Sequence, residues 1–190
     1  MAKVIANALR IGNIIEYQGK LWRVVKSEHT KPGKGGAFNQ MELKDIVHGS
    51  KLNERFRSQE TLEQVRLEQQ DFQYLYDEGD AIALMDPKTY EQISLNKSIL
   101  VDNQESFLQD GMGLVVEFYE ETPLSLQLPE EATFEVVETE AVVKGQTAAS
   151  SNKPAILDNG VRIMVPPFVE AGTRVVVKTA DGSYVERAKK

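Results

Sequence analysis

Residues 13–30, NIIEYQGKLWRVVKSEHT, hold two short runs of β-branched and aromatic residues separated by Gln18-Gly19-Lys20. Such runs on either side of a glycine turn read as a β-hairpin, because glycine accepts the left-handed backbone that tight hairpin loops demand. The next residues, HTKPGKGGAF (29–38), place three glycines and two lysines in a loop. Beyond it AFNQMELKDIVHGSKLNERFRS continues the strand pattern, with Phe38, Met41, Leu43, Ile46 and Val47 as apolar positions and His48-Gly49-Ser50 as a turn. Residues 1–65 therefore read as a small antiparallel barrel whose loop 29–37 joins two strands.

The same habit recurs twice. VRLEQQDFQYLYDEGDAIALMDPKTYEQISL gives three strands parted by Asp77-Glu78-Gly79-Asp80 and Asp86-Pro87-Lys88. NKSILVDNQESFLQDG is the one segment with the character of a helix, stopped at Gly111, and MGLVVEFYEE and PLSLQLP add two strands. Five strands with a short helix after the third is the order of an OB-fold. After Pro129 a third block alternates again, with turns at Asp158-Asn159-Gly160 and Asp181-Gly182, and it too reads as a five-strand barrel. Three all-β domains, 1–65, 66–128 and 129–190, fit this pattern better than one 190-residue sandwich.

Charge divides the chain in the same places. Residues 1–65 carry 11 Lys and Arg against 7 Asp and Glu, a net of +4; residues 66–128 carry 3 against 13, a net of −10; residues 129–190 carry 8 against 9, a net of −1. A polyanion is expected to meet the basic head and parts of the tail, not the acidic middle. Without cysteine there is no disulfide, thiolate metal site or thiol nucleophile. No apolar run approaches the ~20 residues that span a bilayer, and no signal-type leader opens the chain, so a cytoplasmic protein with no membrane partner is expected.

Catalytic chemistry finds no set of residues to carry it. Lys31-Pro-Gly-Lys-Gly-Gly36 fails as a phosphate-cradling P-loop, because Gly35 replaces the Ser or Thr that would hold Mg²⁺ and a strand follows it. His29 and His48 are the only histidines, neither in a metal-ligand spacing, and no Gly-x-Ser-x-Gly occurs. Asp77, Glu78 and Asp80 read as turn residues. No enzyme, cofactor or metal is expected. What the loop does offer is Lys34 on a thin stalk, with Pro32 restricting the approach and Gly33 and Gly35 leaving the ammonium unshielded. Aromatic and basic residues interleave in YQGKLWRVVK and DGSYVERAKK. Trp22 and Phe38 read as core, whereas Tyr184 with Arg187 suits RNA stacking and phosphate contact. From these residues a binding protein for RNA is the reading, such as a stand-alone RNA-binding OB module.

TKPGKGGAF in a basic head, an acidic OB-like middle, and KPAILDNGVRIMVPPFVEAGTRVVVKTADGSYVERAKK at the end together resemble the bacterial elongation factor P family along the whole chain. The resemblance implies a KOW/SH3-like barrel followed by two OB-folds in an L-shaped, tRNA-like arrangement. It implies a monomer that binds the ribosome between peptidyl-tRNA and the exit site and relieves stalling at consecutive prolines. Lys34 then stands where the family carries a post-translational extension, here of the β-lysyl type, added by a lysyl-tRNA-synthetase-like enzyme. Lys31, Pro32, Gly33, Lys34, Gly35 and Gly36 form the tRNA-facing loop, and Gly145, Thr147, Tyr184 and Arg187 the ribosome or RNA contacts. Two positions depart from the pattern: Gly36 stands where Gln is common in the lysylated subgroup, and Gln146 where the family has Asp.

Overall fold

The computed structural model describes residues 1–101, 103–141 and 151–189. Among the described residues sixteen strands form three sheets. The first holds β1 (Ala2–Ile5), β2 (Ile14–Tyr17), β3 (Lys20–Thr30), β4 (Phe38–Asp45), β5 (Lys51–Arg57) and β6 (Thr61–Val65), in the order β1-β6-β2-β3-β4-β5. The second holds β7 (Glu68–Asp77), β8 (Ala81–Met85), β9 (Gln92–Asn96), β10 (Gly113–Tyr119) and β11 (Thr122–Gln127), ordered β11-β10-β7-β8-β9. The third holds β12 (Glu131–Thr139), β13 (Lys153–Leu157), β14 (Arg162–Val165), β15 (Arg174–Lys178) and β16 (Tyr184–Arg187), ordered β14-β13-β12-β15-β16.

The opening hairpin forms as its turn chemistry dictates. Tyr17 pairs with Lys20, and the two loop residues, Gln18 at φ 52° and Gly19 at φ 72°, are both left-handed. That twist matches the right-handed twist of the flanking strands. The second sheet has the expected five strands, but the segment between β9 and β10 is less helical than its sequence suggests. It contains a 3₁₀ turn, Lys97–Ile99, capped by Asn96 accepting from the Ser98 N–H at 2.9 Å, and a single α-helical turn, α1 (Gln104–Phe107). Leu100 and Leu108 take extended backbone at the end of each turn, which stops the helix before it gains a second turn.

Packing gathers these elements into two compact units. One comprises 1–72, 94–101 and 115–127; the other comprises 73–93, 102–114 and 128–190. In the first, Ile15, Trp22, Val24, Met41, Leu43 and Phe56 build the main core, where Tyr17 meets Phe56 edge-on at 5.2 Å. An edge-to-face pair of this kind adds ~0.5–1.5 kcal/mol beyond its buried area. A smaller core joins Ile14, Ile46 and Val65 to Tyr119 of β10 and Leu124 of β11. Glu117, also on β10, is buried at 2 % exposure and is fully engaged: Arg23 of β3 forms an ion pair with it, and Ser125, Gln127 and Gln69 donate at 2.8, 2.9 and 3.2 Å. A carboxylate taken out of water at this depth requires such a set of donors.

The second unit is built on Phe134, Val136, Leu157, Val165, Val175 and Val177, and α1 contributes Phe107, whose ring meets Phe134 edge-on at 5.7 Å. Gly182 at φ +72° turns between β15 and β16 tightly enough that a Cβ there would lie 3.4 Å from the Phe107 ring. Among the described residues no helix is long and apolar enough to cross a membrane.

Candidate functional site

The loop that carries Lys34 stands at the end of the β3–β4 hairpin. These strands pair without a gap from Lys26↔Glu42 to Thr30↔Phe38, after a bulge between Val24 and Lys26 that sharpens the local twist. β4 is paired on its other side too, Phe38 with Arg57 and Asn39 with Phe56, so the base of the loop is held from two directions. Polar side chains add to the anchoring. Ser58 Oγ donates to Asn39 Oδ1 at 3.0 Å, His29 Nδ1 lies 3.3 Å from that same oxygen, and the Ser58 N–H donates to Ala37 O at 2.9 Å. Asn39 and Ser58 are both buried, and the cluster satisfies each of them.

Lys31, Pro32, Gly33, Lys34, Gly35 and Gly36 are all exposed. Gly35 holds φ +128°, a backbone that L side chains rarely adopt, while Gly33 has no such constraint and open space around it. Lys31 and Lys34 form no ion pair among the described residues, so both ammonium groups are left to an external anion.

Two further cations flank the loop, and the sequence pattern did not single them out. Arg55 and Arg57 alternate with buried Phe56 along β5 and share one face, and with Gly36, Ala37, Phe38, Ser58 and Gln59 they line an open groove beside the loop. The Arg55 guanidinium stacks on the Phe38 ring at 3.5 Å. The strand alternation that buries Phe56 was the available signal for this pair. Trp22 behaves as expected of a core residue, buried with its Nε1–H donating to Tyr17 O at 3.0 Å, whereas Phe38 does not: it is half-buried under Arg55 and lines the groove.

The turn after β4 carries a buried carboxylate of a different kind. Asp45 Oδ1 accepts from the Val47 and His48 N–H groups at 2.8 and 3.1 Å, and Lys20 Nζ lies 3.5 Å from Oδ2. Burial pushes its pKa up, but the two backbone donors, the His48 ring and Lys20 together outweigh burial and hold the carboxyl below the usual aspartate value of 3.8. Ile46 in this turn is buried, whereas Val47 points into solvent. The carboxylate fastens the turn through Oδ1, while its buried Oδ2 accepts no hydrogen bond and has Lys20 only at ion-pair distance; among the described residues no group of three or more His, Cys, Asp or Glu could hold a metal.

In the other unit, Tyr184 and Arg187 lie on β16 and line one concavity together with Phe168, Arg174 and Lys189. Tyr184 is half-buried and packs against the third-sheet core, so the freely exposed aromatic beside Arg187 is Phe168, with the guanidinium 5.3 Å from its ring centroid. Gly145, Gln146 and Thr147 lie outside the described residues.

Three family models match the chain in succession: the elongation factor P KOW-like domain at residues 5–62, the elongation factor P OB domain at 67–126, and the elongation factor P C-terminal domain at 132–187. Elongation factor P of a Chelativorans species is 57 % identical over 98 % of this chain and 99 % of its own length, and that of Zymomonas mobilis is 58 % identical over the same shares. Translation initiation factor 5A from Methanococcus jannaschii shares the fold over 67 % of this chain and 92 % of its own, with a TM-score of 0.50 and 22 % identity. A like factor from Naegleria fowleri covers 67 % and 98 % at a TM-score of 0.50 and 14 % identity. Sheets, sequence and the order of matched segments converge: the chain belongs to the elongation factor P family of non-enzymatic translation factors.

Proposed function

We propose that this chain binds the ribosome between the peptidyl-tRNA and exit sites and promotes peptide-bond formation at consecutive prolines. Lys34 is its effector group, extended by a β-lysyl unit that a lysyl-tRNA-synthetase-like enzyme attaches. Residues 1–65, 66–128 and 129–190 serve as a KOW/SH3-like barrel and two OB-folds in an L-shaped, tRNA-like arrangement, and the protein acts as a cytoplasmic monomer. Lys31 to Gly36 face the tRNA acceptor end, while Gly145, Thr147, Tyr184 and Arg187 meet ribosomal RNA.

One observation carries this reading: an unpaired Lys34 at the bare tip of a hairpin whose root is tied by paired strands and the Asn39–Ser58–His29 cluster. A general acid or base works within a set of catalytic partners, and among the described residues Lys34 forms no ion pair. An ammonium on a fixed stalk instead suits electrostatic positioning. Proline reacts poorly as a nucleophile in peptide transfer, so a factor that orders the acceptor end for attack accelerates the step without contributing to the bond chemistry. Arg55 and Arg57 beside the loop supply further positive charge for the phosphate backbone.

The test joins mass and activity. Protein isolated from its native host is expected to weigh one lysyl unit more than its sequence, with the addition on Lys34. Lys34→Ala is expected to fold normally and lose most of the stimulation of Pro-Pro synthesis by ribosomes. An alanine variant that stimulates as well as the unsubstituted protein sinks the proposal.

A further inference from the structure

Phe168 is 60 % exposed, yet it is not a loose side chain. It occupies the third position of the turn Pro166-Pro167-Phe168-Val169, closed by the Val169 N–H donating to Pro166 O at 3.1 Å. The two prolines fix φ on the approach, and Val169, fully buried, pins the exit into the core. The ring is therefore displayed at a stiff corner. Around it the concavity is lined by Arg174, Arg187 and Lys189 against a single carboxylate, Glu186, within a segment of net charge −1. Among the described residues none of the three cations forms an ion pair.

A rigid, solvent-facing phenyl ring with a guanidinium 5.3 Å from its centroid and two more cations at the rim has one chemical complement: a flat aromatic group attached to anions. We propose that this corner is a stacking site for an unpaired RNA nucleotide. Phe168 is the platform for the base, and Arg174, Arg187 and Lys189 receive the adjoining phosphates. The inference rests on the reading that the chain works against RNA, and it adds Phe168 to that surface. It also specifies a single strand, since a base inside a duplex has no free face to stack on an aromatic side chain. A protein partner would use the same ring without the phosphate contacts, and the experiment separates the two.

Hexaadenylate is titrated into the full-length protein while the aromatic resonances of Phe168 and Tyr184 are followed by NMR, with inorganic polyphosphate as a charge-matched probe lacking bases. Hexaadenylate is expected to shift both rings and polyphosphate to leave the Phe168 ring in place. Phe168→Ala is expected to weaken hexaadenylate binding about tenfold and Phe168→Leu nearly as much, while Phe168→Tyr retains it. The leucine variant keeps an apolar side chain at the corner, so a loss there reports the missing ring face and not unfolding. Equal binding by Phe168→Leu and the unsubstituted protein, or equal Phe168 shifts with polyphosphate, overturns the proposal. The same preparations are assayed for Pro-Pro synthesis. Stimulation without Phe168-centred RNA binding removes this inference alone, and absence of stimulation by lysylated protein removes the reading beneath it.

Discussion

Gly35 and Gly33 flank the same lysine and are not equivalent. At φ +128° Gly35 holds a conformation that a β-branched residue cannot share, whereas Gly33 is free of that demand. Gly35→Val is therefore expected to reduce stimulation of Pro-Pro synthesis at least fivefold, and Gly33→Val to have the smaller effect, with both melting as the unsubstituted protein does. Asp45 yields a prediction of pH dependence. Its carboxyl is held below the usual value of 3.8 in the folded state, so the stability it contributes is fully present above pH 4 and is lost as pH falls through the folded value. Asp45→Asn should cost about 1–2 kcal/mol at neutral pH and flatten the acid limb of a pH-stability curve measured by urea unfolding. Sequence reasoning anticipated the exposure of Lys34 because glycine neighbours declare exposure without reference to tertiary structure. It did not find Arg55, Arg57 or Phe168, whose significance depends on what the fold sets beside them, and it could not tell that Tyr184 is half-buried on a core while Phe168 is not.

Among the elements, hairpins whose turns are marked by glycine were legible, as at Gln18-Gly19 and Asp158-Asn159-Gly160, where Gly160 has φ 79°. Strands β10 and β11 were legible too, but the turn that joins them was not. Tyr119 pairs with Thr122 across a two-residue loop made of Glu120 at φ 48° and Glu121 at φ 66°, so two side-chain-bearing residues stand in the left-handed region with no glycine or asparagine to announce the turn. That conformation costs each of them roughly 1 kcal/mol. Glu121→Gly is expected to relieve the second position and raise the melting temperature by ~2–4 °C, provided the loop keeps its geometry. A lower melting temperature would place the strain elsewhere. The segment 96–111 was overread as a helix: Leu100 and Leu108 take extended backbone after each short turn, and Phe107, the last residue of α1, packs into the third-sheet core.

Across the whole molecule, the sheets follow the sequence blocks while the packing does not. Strands β10 and β11 belong by pairing to the second sheet, yet Tyr119, Leu124 and Glu117 complete the interior of the unit formed with 1–72. No linear pattern reveals this, because the β10 alternation specifies only that Glu117 faces opposite to its neighbours, not that Arg23 waits ninety-four positions away. Residues 115–127 are expected to exchange their amide hydrogens together with 1–72 and apart from 128–189. Glu117→Ala, which strands Arg23 and three amide or hydroxyl donors, should cost about 3 kcal/mol and lower protection in 14–24 and 115–127 alone. Protection of 115–127 that instead tracks 73–93 would contradict this partition. The anchored hairpin root has a further, quantitative consequence. Lys34 is four residues from Thr30 on one side and from Phe38 on the other, so its backbone stays within ~14 Å of that root. One group confined to a sphere of that size is present there at an effective concentration of roughly 0.1 M, whatever the dilution of the protein that carries it.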